Sequence, residues 1–176
     1  MITIKNAVLN FPSVFSLPVV NGEQQTKYST KVILDPKEHA AVIKQLQVEI
    51  EKLRTETLKG AKLPSDKFCL RNGDDLAKEE YEGKMVLSAS CKRRPTVVKA
   101  EDGQLVPVTE DDGLIYSGCI ANVNVSLWGQ NNQYGKRINC ELVAIQWKGE
   151  GTPIGGGGIS REAAIQGFDL DSSDFG

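Results

Sequence analysis

The hydrophobic pattern of this chain alternates more often than it turns. Residues 27–34 put Tyr28, Thr30, Val32 and Leu34 on one face and Lys27, Ser29, Lys31 and Ile33 on the other, the period of two of a half-buried strand. Residues 2–8 form a shorter β-prone run ending near Pro12, and residues 85–90 read as a strand running through Cys91 into a basic cluster. Residues 96–98 and 105–108 flank Asp102-Gly103, a dipeptide suited to a tight hairpin. The longest alternating runs, 117–128 and 136–147, are joined by a loop at 129–135 rich in Gln, Asn and Gly. In the first, Cys119, Ala121, Val123, Val125 and Leu127 share a face, opposite Ile120, Asn122, Asn124, Ser126 and Trp128. Such two-faced strands suit an antiparallel sheet with one wet side.

One segment keeps a different period. Ile43, Leu46, Ile50 and Leu53 recur every three or four residues and predict a helix over about 37–59, opened by Asp35-Pro36 and ended by Gly60 and Pro64. Many strands around one inserted helix predict a mainly β protein, an antiparallel barrel like the oligonucleotide-binding (OB) fold. Residues 71–75 read as a turn. After Trp147 glycine takes over, so the expected division is a domain at 1–149, then a glycine-rich linker and disordered acidic tail at 150–176.

Composition narrows the function by exclusion. The longest uncharged stretch, 113–135, is interrupted by Asn122, Asn124, Gln130, Asn131 and Asn132, which lipid does not tolerate, and the N-terminus carries no secretory pattern. A cytoplasmic location, that of the host if the chain is phage-encoded, is expected, with no membrane partner. Cys69, Cys91, Cys119 and Cys140 lack the short spacing zinc needs and read as small buried apolar side chains. His39 has no second histidine to work with, the glycine run 155–158 lacks a following Lys-Ser/Thr pair, and the paired acids at 74–75 and 111–112 read as solvated turns. No catalytic set, metal site or cofactor site is expected.

Charge then points to binding. The net charge is −2, but the last eighteen residues carry −3, leaving the body slightly basic. Lys84, Lys92, Arg93, Arg94 and Lys99 fall within one acid-free stretch. Single-stranded nucleic acid requires cations along its phosphates and flat side chains for its bases. The candidates are Lys27, Tyr28, Lys31, Lys84, Lys92, Arg93, Arg94, Lys99, Tyr116, Trp128, Tyr134, Lys136 and Arg137. Phe68 and Trp147 are expected in the core. The tail sets Phe168, Asp169, Asp171, Asp174 and Phe175 behind the glycines, an acidic peptide suited to a basic groove with an apolar pocket.

Residues 27–34, 70–74, 94–98 and 116–119, with the late strand 138–146, together resemble a family of phage and prophage single-stranded-DNA-binding proteins with an OB-fold. The resemblance implies non-sequence-specific binding of single-stranded DNA in phage replication or recombination. It also implies a tail that competes with DNA and recruits replication proteins such as a polymerase or a helicase/primase. The tail ends Phe175-Gly176 rather than on phenylalanine itself. RNA binding or strand annealing, and a structural or interaction role without nucleic acid, are the alternatives; a homodimer is left open.

Overall fold

The computed structural model describes residues 1–154 and 165–168. Its strands are β1 (Ile2–Ser13), β2 (Val19–Val20), β3 (Glu23–Gln24), β4 (Tyr28–Leu34), β5 (Leu70–Asn72), β6 (Met85–Cys91), β7 (Thr96–Glu101), β8 (Gln104–Pro107), β9 (Ile120–Asn132) and β10 (Gly135–Gly149). One α-helix, α1 (Ala40–Glu56), lies between β4 and β5, inside the range the periodicity predicts. β1, β4, β6, β10 and β9 pair in that order and close on themselves, since β9 returns to β1. This is a closed five-stranded OB-like barrel with one inserted helix, the architecture the sequence predicts.

Alternation fills the barrel. Thr30, Val32 and Leu34 of β4, Leu87, Ala89 and Cys91 of β6, and Ala121, Val123, Val125 and Leu127 of β9 are all buried. On β10 the phase slips. Ile138, Cys140 and Leu142 point inward, a bulge follows between Leu142 and Ala144, and Ile145 takes the next inward place. On β1 a bulge between Ile4 and Ala7 does the same, with Asn6 at φ 55. The hairpin β9–β10 is longer than expected: its strands pair as far as Asn132 and Gly135, which reduces the loop to a tight turn at Gln133-Tyr134.

Helix α1 packs on β1, β9 and β10 through Ile43 and Leu46. Asp35 Oδ1 accepts from the N–H groups of Lys37 and Glu38 just before the helix. His39 is a buried structural residue. The Asp35 N–H donates to its Nδ1, which leaves Nε2 to donate to the Lys5 carbonyl at 2.9 Å. The four cysteines are free and buried, and burial raises each thiol; Cys69 is pushed up to about 12. Such thiols stay protonated and behave as packing groups.

Two segments outside the barrel shape its surface. Residues 73–84 fold over one end of the β4–β6 face. Gly73 sits so close to the Tyr81 carbonyl that any Cβ there would collide with it. Tyr81 is buried against Ile33 and Val86, with Val8, Leu76 and Ile154 around them. After β10 the chain stays on the body. The Tyr116 hydroxyl donates to the Gly151 carbonyl and accepts its N–H, and the Ile154 N–H reaches the Ser117 carbonyl. Among the described residues no helix is long and apolar enough to cross a membrane.

Candidate nucleic-acid interface

On β4, β6 and β10 the residues between the inward ones form the outer wall. Lys31 and Ser29 stand across from Ser88 and Ser90, and Arg137 and Asn139 continue the surface onto β10. Together with Arg71 from β5, Phe68 and Phe11 they line an open groove of about 430 Å³.

Three cations, Lys31, Arg71 and Arg137, and one carboxylate, Asp66, line the groove. Lys31 Nζ donates to Ser88 Oγ at 2.7 Å but forms no salt bridge among the described residues. Burial, and after it the charge of Arg71, hold its amine below the usual lysine value of 10.5. Arg71 Nε is buried without a hydrogen-bond partner. Arg137 spends one donor on the Asp66 carbonyl at 3.3 Å. A buried donor left unmatched, next to two more cations, is the arrangement an incoming anion satisfies.

Aromatic side chains stand at both ends. Trp128 is registered with Asn139 and Gln130 with Arg137, and residues paired in this way share a face. The indole of Trp128, 41% exposed, therefore extends the groove onto the long hairpin, where Asn139 donates to Gln130 Oε1. Tyr134 at the hairpin tip is 81% exposed. At the other end is Phe11, 55% exposed, at a second β1 bulge.

The structure thus brings Lys31 and Arg137 together, with Trp128 opposite Asn139 on the adjoining strand. Tyr134 and Lys136 lie further along the same hairpin, and Lys92 and Arg93 are exposed just past Ser90. Arg94 is turned away: it donates to the Phe15 carbonyl at 2.8 Å and lies over that ring. Lys27 lines an adjoining cleft that also includes Phe11 and Ser29.

Of the candidates only Lys31 and Arg137 line the groove itself, and four more are engaged elsewhere. Tyr28, on the inward face of β4, packs against the core. Tyr116 holds Gly151, as described above. Lys84 pairs with Asp35 at 2.8 Å, an interaction that lowers the aspartate pKa, and Lys99 pairs with Glu101 at 3.6 Å. Phe68, expected in the core, packs against it and is half-buried, with part of the ring in the groove wall. Arg71 and Phe11 were absent from the sequence-derived set. The signal for Arg71 was a basic residue opening a turn; nothing in the residue pattern pointed to Phe11. No cluster of three or more His, Cys, Asp or Glu able to hold a metal occurs among the described residues. Within the tail, Phe168 is exposed, while Asp169, Asp171, Asp174 and Phe175 lie outside the described residues.

Comparison with known proteins places the chain in a family. The family described as the Enterobacter phage Enc34 ssDNA-binding protein matches residues 1–175. The chain belongs to this family. It is 31% identical over 177 residues to protein p50 of Acyrthosiphon pisum secondary endosymbiont phage 1, covering 96% of this chain and 92% of that one. Among solved structures it is similar to the single-stranded DNA-binding protein from bacteriophage Enc34 in complex with ssDNA. That match has TM-score 0.75 and 26% identity, and covers 87% of this chain and 88% of the other. A second structure, that of the single-stranded DNA-binding protein from bacteriophage Enc34, matches with TM-score 0.75 and 26% identity, covering 93% of this chain and 89% of the other.

Proposed function

We propose that this family member binds single-stranded DNA along the outer face of β4, β6 and β10, without sequence preference and without catalysing a reaction. The observation that carries the reading is the set Lys31, Arg71 and Arg137, none in a salt bridge among the described residues, in a groove whose lining holds a single carboxylate, Asp66. Cations matched to phosphate and flat rings at the groove ends engage any sequence, because every nucleotide has a phosphate and a π face. Trp128 and Tyr134 serve as stacking surfaces, and Lys92, Arg93 and Lys136 lie where a strand leaving the groove would pass. Tyr28, Tyr116, Lys84 and Lys99 act on the fold instead.

The work of the chain is then to coat single strands during phage replication or recombination in the host cytoplasm. Residues 150–176 form the second functional part. The acids Asp169, Asp171 and Asp174, with Phe168 and Phe175, occupy the groove in the absence of DNA and recruit replication proteins when DNA displaces them. A tether of this length holds them at an effective concentration of order millimolar. The test is a titration of full-length protein, and of a chain ending at Gly158, against labelled single-stranded DNA, duplex DNA and RNA at two salt concentrations. Tight single-strand binding is expected, tightened further by the truncation and most at low salt. Binding equal to that of duplex would overturn the single-strand reading. Equal affinity of the two chains would remove the tail from the groove.

A further inference from the structure

The groove does not end at Phe11. On the far side of this ring lies a second cleft of about 530 Å³, walled by Pro18, Val19, Val20 and Lys27, which shares Phe11 and Ser29 with the first. We propose that this cleft, under the β2–β3 hairpin, is a second nucleobase subsite, and that the same DNA strand turns round Phe11 to enter it. The proposal rests on the groove being the DNA path.

Three independent features carry it. The first is the backbone of Phe11. Its φ is +48, a left-handed conformation that side chains with a Cβ adopt at a cost, and its N–H is fixed by Ser117 Oγ at 2.9 Å and Asn10 Oδ1 at 3.1 Å. This strain holds a large ring out in solvent at the junction of two clefts, which is where strain of this kind has a use.

The second feature is the hairpin. Val19 and Val20 are 65% and 51% exposed on a two-stranded ribbon, joined by Asn21 and Gly22, both at positive φ. That turn fixes the ribbon tightly, and its apolar side borders the cleft opposite Phe11. The third feature is charge. Lys27 lines the cleft and Lys78 Nζ sits 5.2 Å from the centre of the Phe11 ring, while no carboxylate lines the cleft among the described residues. Apolar walls, one ring and two cations make a place for a base and its phosphate. Continuity with the main groove makes that base the next one on the strand.

Oligothymidylates of graded length read this directly, since OB-type sites span about 4 to 16 nucleotides. Affinity of the full chain should step up once the oligonucleotide is long enough to pass Phe11. Phe11→Gly and, separately, the double variant Val19→Ser/Val20→Ser should abolish that step. Each should bind an oligonucleotide of about 16 nucleotides roughly 5- to 100-fold more weakly, and the valine variant, whose residues lie outside the main groove, should bind one of about 4 nucleotides as the wild type does. Phe11→Tyr should keep the step. Because glycine relieves the strained φ, Phe11→Gly should melt no lower than wild type, which separates lost binding from lost fold. Length curves identical to wild type, or a loss equal at every length, would overturn the subsite. Lys31→Ala/Arg71→Ala distinguishes failure of the main groove. It should weaken every length, and no effect at any length would refute the groove whatever the subsite variants do.

Discussion

The outer face of β4 and β6 has two halves, separated by one step of the strand alternation. In one, Ile33 stands opposite Val86; in the other, Lys31 stands opposite Ser88. The first half lies under Tyr81 and Leu76 and forms a small apolar core of its own. The second is open and lined with unpaired cations. Arg71 marks the boundary: it is registered with Val86, yet its side chain lines the groove. The sheet is the same, so what separates core from candidate site is the cover. Residues 73–84 reach Ile33 and leave Lys31 open.

The largest effect that would test this contrast is on the covered half. Tyr81 is buried and its hydroxyl accepts from Asn10 Nδ2 at 2.9 Å. Tyr81→Ala should cost about 3 kcal/mol of stability, the scale of a buried aromatic truncation. The surviving folded fraction should bind DNA with an unchanged salt slope. Chemical denaturation and salt titration measure the two. A changed slope with intact stability would make the cover part of the DNA path.

The next effect belongs to the open half. Lys31→Ala/Arg71→Ala should weaken binding by about 2 kcal/mol at low salt, the range for hydrogen bonds to charged groups. It should also flatten the dependence of log affinity on log salt by about 1.4, near 0.7 for each lost phosphate contact. The comparison variant is Lys84→Ala/Lys99→Ala. Both lysines are paired with carboxylates and lie off the groove, so the slope should hold and stability should drop by less than about 1 kcal/mol. Equal flattening by the two pairs would mean that general positive charge, not the groove, holds the DNA.

How much of this could be read from the sequence follows from the same contrast. The alternation of residues 27–34 placed Lys31 and Tyr28 on opposite faces, because period two survives in a regular strand. It did not reveal that Ile33, also outward, would be covered, since the cover comes from residues forty and more positions away. β5 has three residues, too few to alternate, so Arg71 looked like the start of a turn. Phe11 depends on a bulge and a positive φ at a non-glycine residue, which composition does not announce. The pairing of Lys99 with Glu101 was available, because residues two apart on a strand share a face; that of Lys84 with Asp35 spans forty-nine positions and was not. On β1 and β10 the bulges change which residues face inward, and strict alternation misplaces Ile145.

The smallest effect distinguishes the open half by its chemistry. Burial and Arg71 lower the Lys31 amine below 10.5 in the free protein. A phosphate in the groove offsets the repulsion from Arg71 and favours the charged amine, so the amine should be more basic in the complex. Binding then takes up protons once the pH exceeds the free-state value: affinity is full below it and declines as pH rises through it toward 10.5. For folding the sign reverses. The folded amine holds its proton less tightly than the unfolded one, so charged Lys31 opposes folding below its lowered pKa, and that penalty fades as pH climbs toward 10.5. One residue thus predicts weaker binding and firmer folding over the same alkaline window. Oligoadenylate is the suitable ligand, because its bases carry no proton that titrates there. Binding and thermal unfolding followed from about pH 7 to about pH 10 in wild type and Lys31→Arg should show both trends in the first and neither in the second, as guanidinium stays charged throughout. If Lys31→Arg keeps the full decline in affinity, the titrating group is elsewhere, and Lys31 is merely a buried amine bonded to Ser88.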